Sequence, residues 1–249
     1  RLRNLPVYSS QSDTLCLVAD GTGDLHEVSF MTLAERMRLF LAYSSGTVFC
    51  TGTPTAIVDV LNPITGDIWM DRNLGASQAA TSSTDAQAYG DLYQWGRAAD
   101  GHQCRNSGTT NNNSSSNTPS HSNFILELSS PYDWRSPQNN NLWQGLNGIN
   151  NPCPSGYRIP TENELNAEFI SWTGGSNSLG AYGSPLKLPL AGARLRSTGV
   201  LGNVGSHGYY WASSVNGINI RFLSFNNSSV SMYSDNRAYG FSVRCIKGN

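Results

Sequence analysis

The sequence is short of charge. Asp, Glu, Lys and Arg make up 13% of its 249 residues, about half the share of a typical globular chain. The formal net charge is −1, and no stretch gathers lysine and arginine into a basic stripe. Nucleic acid is therefore not an expected partner, because phosphate recognition rests on such stripes. Long apolar runs are also missing. None approaches the roughly 20 residues that cross a bilayer, so no membrane insertion is expected. The five cysteines, Cys16, Cys50, Cys104, Cys153 and Cys245, include no CxxC pair, which argues against a zinc knuckle or a thioredoxin-type dithiol. Their odd number leaves at least one thiol free or paired between chains. The rest read either as buried thiols or as a Cys153–Cys245 bridge tying the middle of the chain to its final strand. His26, His102, His121 and His207 show no HxxxH or HExxH spacing. Each is read as structural or solvent-facing, and no metal site is expected of them. The chain begins at Arg1 rather than Met, so the absence of a signal-peptide pattern carries little weight.

What is present is glycine, aromatic residues and short neutral polar side chains. There are 25 Gly, 11 Tyr and 6 Trp. This balance suits a loop-rich, β-containing surface protein better than a metabolic α/β enzyme. The length allows one large domain, or a medium one with a smaller companion.

Along the chain, residues 1–52 read as a small connector or oligomerisation module. "TLCLVAD" and "HEVSF" predict two strands around the turn "GTGD". "TLAERMRLFLA" predicts a helix with Leu33, Met37 and Leu41 in register, Thr32 as N-cap and Glu35 three residues on. A hairpin and one helix bury little surface alone, so docking on a neighbour or on copies of itself is expected. Residues 53–249 read as a separate binding domain. "TAIVDVLNPITGDIWMDRNLGA" predicts two strands around a turn at 62–66. "TDAQAYGDLYQWGR" predicts a helix with Tyr89, Leu92, Tyr93 and Trp95 on an aromatic face. Residues 106–123 are polar and low in complexity, and predict a long surface loop. Thr161 and Glu164 form a capping box, and Leu165, Phe169 and Trp172 fall on one helical stripe. Five strands are expected after Pro185: "LKLPLAG", "YYWASSV", "INIRFLSF", "SVSMYS" and "GFSVRCI".

The hairpin "GINIRFLSFNNSSVSMYSDNR" (217–237) carries the clearest functional signal. Leu223 and Phe225, then Val230 and Met232, alternate at period two, as a core-facing set does. The remaining positions carry mostly Asn, Ser, Asp and aromatics, with Gly217, Ile218, Ile220, Arg221 and Arg237 but no Lys or Glu. Ordinary solvated strand faces use Lys, Glu and Thr. An Asn-, Ser- and Tyr-rich surface is the chemistry of antibody paratopes, where Tyr gives rigid contact area and Ser and Asn give adaptable hydrogen bonds.

"IWMDRNLGA", "YGDLYQWGR", "CPSGYRIPTENEL", "GYYWASS" and "YGFSVRCIK" occur in the order found in the Fibrobacter succinogenes major paralogous domain. From about residue 55 to the end, the chain resembles that domain, a branch of the C-type lectin-like fold shared with the formylglycine-generating enzyme. The resemblance implies an α+β domain of two helices flanking twisted antiparallel sheets, with irregular loops and paired N- and C-terminal strands. The first module is similar to short units that precede the tips of some phage tail fibres. The same domain type serves as the variable protein of diversity-generating retroelements, in which adenine-directed copying rewrites Asn codons. The non-core hairpin residues are all reachable from such codons by changing adenines. The resemblance implies a ligand-binding variable face made of Asn219, Phe222, Ser224, Asn226, Asn227, Ser229, Ser231, Tyr233, Asp235 and Asn236, joined by Arg196, Val200, His207 and Asn216. Phe222 and Tyr233 are the expected energetic anchors, and Trp211 is expected in the core. The expected partner is a protein or glycan receptor on a cell surface, met by a homotrimer at a virion tail tip or on a bacterial surface. A fixed bacterial surface adhesin or lipoprotein-like module of the same family is the alternative, and an oxidoreductase relative of the formylglycine-generating enzyme is the remoter one.

Catalysis is not expected. The formylglycine-generating enzyme uses a cysteine pair near its C-terminus, where this chain has Cys245 alone. The HxxxE arrangement of the related iron-dependent sulfoxide synthases does not occur. Nor do the EPN, QPD and WND motifs through which sugar-binding C-type lectins hold calcium. Asp133 with Asn139, Asn140 and Asn141 offers the nearest oxygen cluster for a structural calcium. No other cofactor is expected.

Overall fold

The structure, a computed structural model, describes the backbone of residues 15–19 and 25–248, and the side chains of Glu35 and of residues 37–248. The chain divides into two units, Arg1–Ala42 and Tyr43–Asn249. In the first, β1 (Leu15–Ala19) and β2 (Leu25–Ser29) pair antiparallel, followed by α1 (Phe30–Leu41). The helix begins two residues ahead of Thr32, which is therefore inside it and not its cap. The side chains of Cys16, His26 and Leu33 lie outside the described residues.

The second unit starts ten residues before the change in sequence texture at 52/53. Segment 43–52 belongs to it because Cys50 is bonded to Cys104, Val48 N–H donates to Ala99 O and Tyr43 OH donates to Thr55 O. β3 (Asp59–Leu61) and β4 (Ile68–Met70) form the expected hairpin. Asn62 Oδ1 accepts the Ile64 N–H at 2.9 Å, and Gly66 supplies the left-handed φ of +79° that closes the turn.

The helix expected over 84–97 is a single 3-10 turn, Ala86–Ala88, capped by Asp85. Gly90 ends it. Its φ is +66°, and a Cβ there would lie 2.3 Å from Leu74 O. The chain continues extended into β5 (Tyr93–Gln94), so Leu92, Tyr93 and Trp95 are buried on extended rather than helical backbone. β6 (Thr109–Thr110) and β7 (Phe124–Ile125) pair parallel at the two ends of the polar 106–123 stretch. β8 (Tyr157–Arg158) leads into α2 (Glu162–Ile170), whose Thr161–Glu164 capping box is formed in both directions. α3 (Ser178–Gly183), capped by Asn177, has no counterpart in the sequence reading.

β9 (Ala193–Arg194), β10 (Leu201–Gly202), β11 (Gly208–Asn216), β12 (Asn219–Phe225), β13 (Val230–Asp235), β14 (Gly240–Phe241) and β15 (Ile246–Lys247) complete the chain. "LKLPLAG" is not a strand. Pro189 has no N–H, Lys187 takes φ +48°, and the Leu188 and Leu190 amides donate to Ala181 and Ser83 rather than to a ladder. Among the described residues the sheets run β10-β9-β14-β5, β11-β12-β13 and β3-β4-β15-β8. The unit thus mixes small helices with mostly antiparallel sheets. Near the end of the chain, Ile246 pairs with Trp69 of β4 and with Arg158 of β8, and Cys245 is bonded to Cys153.

Leu165 of α2, Trp172 just beyond the helix's end, Leu186, Leu188, Tyr210, Leu223 and Phe225 form one buried core, against which Phe169, Val230 and Met232 pack. Phe225 stacks on Tyr210 at 5.7 Å. Gly208 permits this, since a Cβ there would lie 2.3 Å from the Phe225 ring. Irregular backbone is held by indoles: Trp95 Nε1 donates to Ala212 O, Trp211 Nε1 to Tyr93 O and Trp134 Nε1 to Trp95 O, at 2.6–3.0 Å.

Candidate binding face

The hairpin register decides which side chains share a side. Ile220 pairs with Asp235, Phe222 with Tyr233, Ser224 with Ser231, and β11 adds Tyr209 opposite Ser224 and Trp211 opposite Phe222. Directly opposed residues of an antiparallel pair point the same way. Leu223, Phe225, Val230 and Met232 therefore face the core, as expected. Three cross-strand rows occupy the other side: Tyr209–Ser224–Ser231, Trp211–Phe222–Tyr233 and Val215–Ile220–Asp235.

That side is aromatic and largely covered at its centre. Phe222 is 5% exposed. Phe241 of β14 lies 4.8 Å from it and Trp211 5.9 Å. Phe222 is thus a floor rather than the exposed anchor expected of it. The physical reason is β14 with the residue before it, which brings Phe241 and Tyr239 to this side and stacks Phe241 on Tyr209 at 5.1 Å. Tyr233, 50% exposed, stands above the floor. Ser224, Ser231 and Asp235 are half-buried around it. Burial holds the Asp235 carboxyl above its ordinary range, with Arg196 opposing.

Arg196 belongs to this face through rings. Its guanidinium lies 3.9 Å from the Tyr132 ring and 5.7 Å from Tyr239, and Nη1 donates to Glu127 O. His207 also belongs, stacked on Tyr209 at 5.7 Å with planes 6° apart. Val200, exposed, sits in the β9–β10 turn, which closes through Leu195 N–H to Val200 O.

Asn216, Asn219 and Asn236 are not on this face. Period-two alternation puts them on the core side of the ribbon, beyond the core's end. There Asn236 Nδ2 donates to Asn219 Oδ1 and Asn216 Nδ2 to Ser234 Oγ. Arg221 joins them, donating to Ser234 and pairing with Glu162 of α2. Asn227 and Ser229 are exposed at the hairpin tip. Asn226 builds that tip: its Oδ1 accepts the Ser228 and Ser229 N–H groups at 2.8 and 3.0 Å, and its carbonyl accepts Ser178 N–H at the start of α3.

The sequence reading missed Tyr209, Tyr239 and Phe241. The signal was period-two spacing in "GYYWASS" and "AYGFSV", which sets Tyr209 with Trp211, and Tyr239 with Phe241, opposite their core-facing neighbours.

The oxygens expected to gather calcium converge on a cation the chain supplies. The Arg237 guanidinium donates to Asn139 O at 3.1 Å and to Asn140 Oδ1, lies 3.6 Å from Asp133 Oδ2 and packs over Trp95. Asn139 and Asn141 otherwise bond to Asn117 and to each other. A calcium at these oxygens would displace a buried guanidinium, so the expectation is withdrawn. Among the described residues no group of three or more His, Cys, Asp or Glu stands close enough to hold a metal. The buried His102 is structural: Nε2 accepts the Gln94 N–H, Nδ1 bonds Asp100, and burial pushes the imidazole down to about 4. No described helix is long and apolar enough to cross a membrane. No family model matches the chain, and neither a curated protein nor a solved structure matches it.

Proposed function

We propose that this chain is a recognition protein without catalytic activity. Its larger unit is read as a C-type lectin-like domain that displays a diversified binding surface, the variable product of a diversity-generating retroelement. The partner is a protein or glycan receptor on a cell surface, met by a homotrimer at a virion tail tip or on a bacterial surface. One observation carries the reading. Ser224, Ser231, Tyr233 and Asp235 share one side of the β12–β13 ribbon while Leu223, Phe225, Val230 and Met232 occupy the other. Side chains on the first side can change without disturbing the core on the second.

Two further features support the fold assignment. The unit's first hairpin pairs with the last strand through Trp69 and Ile246, and the capped helix carries the "GYRIPTENEL" motif. The proposed face comprises Tyr233, Ser224, Ser231, Asp235, Arg196 and His207 around the buried Phe222, with Val200 exposed in the β9–β10 turn and Asn227 and Ser229 exposed at the hairpin tip.

The test is deep sequencing of the 3′ end of the gene in its source population. Variation concentrated in the codons of Ser224, Ser231, Tyr233 and Asp235, traceable to adenines of a nearby repeat, is the expected result. Uniform codons without such a repeat would leave the fixed adhesin, recognising a single receptor.

A further inference from the structure

A second candidate site lies around Asp91. This residue is 6% exposed, and its carboxyl lies directly over Gly75, where a Cβ would come within 2.2 Å of Cγ. No described protein group hydrogen-bonds that carboxyl. Arg105, the cation that faces it, donates Nε to Gly90 O and Nη2 to Ala191 O at 2.7 and 3.0 Å and acts on the carboxyl through charge alone. An isolated carboxylate in such surroundings either takes a proton or takes a cation. Burial pushes this one up to about 7.

Asp91 opens onto a cleft of about 10 Å³, room for one atom-sized guest. The rings of Tyr43, Phe49 and Tyr93 line it, as do Thr51, Thr53 and Thr55. Thr55 Oγ1 accepts the Gly75 N–H at 2.7 Å and keeps a second lone pair. Tyr93 follows Asp91 by two residues on the extended run into β5, so both project to the same side.

We propose that this cleft binds a small primary ammonium group, with Asp91 as its counter-ion, hydroxyl oxygens as acceptors and aromatic faces around the charge. Ring faces attract cations and carboxylates pair with them. A calcium ion needs six to eight oxygens, and Asp91 is the one carboxylate in the wall. A quaternary ammonium is too wide for the volume. The group comes either as a free ion or as the tip of a lysine from a partner chain, slim enough to enter.

The experiment uses the full chain in chloride salts of ammonium, methylammonium, n-butylammonium and tetramethylammonium at matched ionic strength. The Asp91 carboxyl is followed by carbon NMR through a pH titration, with thermal unfolding alongside. Binding confined to the ionised form, at about ten times the dissociation constant, lowers the Asp91 midpoint from about 7 to about 6. Tm at pH 8 then rises above its value in tetramethylammonium. At pH 5 the carboxyl is protonated and the gain disappears. Asp91→Asn abolishes the response, and Tyr93→Phe, a milder change, weakens it. A stronger effect from n-butylammonium than from ammonium assigns a tethered amine, and the reverse order assigns a free ion. An Asp91 midpoint and a Tm that are the same in all four salts overturn the proposal.

Discussion

Tyr233 stands over Phe222 with ring centroids 6.0 Å apart and planes inclined by 32°, yet one ring is half exposed and the other 5% exposed. The pair separates binding from stability. Tyr233→Ala removes exposed contact area and is expected to cost about 2 kcal/mol or more of receptor affinity, with unfolding changed by less than about 1 kcal/mol. Phe222→Ala empties a packed site and is expected to cost about 3–5 kcal/mol of stability. Binding assays beside denaturant melts of both variants check this. A Tyr233→Ala chain that binds normally but melts early would assign the ring to packing.

Asn226 was expected to vary freely, but its amide oxygen closes the hairpin tip. Asn226→Ala leaves two N–H groups without that acceptor and is expected to cost about 1–2 kcal/mol. Asn227→Ala, at an exposed neighbour, is expected to stay within about 0.5 kcal/mol. Urea midpoints of the two variants decide it.

Arg237 takes the place proposed for calcium. Neither added calcium nor a chelator is expected to move the melting temperature. Arg237→Ala strands Asp133, whose carboxyl burial already pushes up to about 6, and is expected to cost about 3–5 kcal/mol. A chelator-induced fall in melting temperature would restore the metal site.

The buried His102 and Asp91 pull stability in opposite directions with pH. His102 has a folded value of about 4 against an ordinary 6.5, so the unfolded chain takes the proton first. Its contribution is lost as pH falls from about 6.5 to about 4. Asp91 has a folded value of about 7 against an ordinary 3.8, so the unfolded chain releases its proton first. Its unfavourable contribution grows as pH rises from about 4 to about 7. Urea midpoints across this range are expected to rise more steeply with pH in Asp91→Asn than in the natural chain. They are expected to be flatter in His102→Gln.

The two disulfides are expected to differ in access. Cys153 and Cys245 are at most 5% exposed, whereas Cys50 and Cys104 are half-buried. Limited reduction and alkylation, read by mass spectrometry, should open Cys50–Cys104 first. Loss of either bond costs about 4 kcal/mol on the chain-entropy estimate for loops of this length.

Much of this was legible from local chemistry. The 62–66 turn, the Thr161–Glu164 box and the alternation of Leu223 and Phe225 follow from side chains acting on their own neighbours, and the structure contains all three. Most of the failures are tertiary. Tyr89, Leu92 and Tyr93 carry a helical apolar spacing, but Gly90 takes the left-handed φ of +66°, from which no right-handed helix continues. Phe222 alternates outward correctly, yet nothing in the hairpin itself reveals that Phe241 closes over it. Asn219 and Asn236 were misplaced against a signal present in the sequence, since period two puts Asn219 in step with Leu223 and Phe225, and Asn236 in step with Val230 and Met232. The Cys50–Cys104 bond joins residues of unlike texture and had no local signature.

The Cys153–Cys245 bond makes residues 153–245 a covalent ring. Tension drawn along the backbone from either side of that ring crosses at the sulfurs and never enters the enclosed strands. β11, β12 and β13 lie inside it. A pull on the two ends of the chain would therefore leave this sheet at full shape. The slack would come instead from the stretch between Cys104 and Cys153, which neither bond encloses.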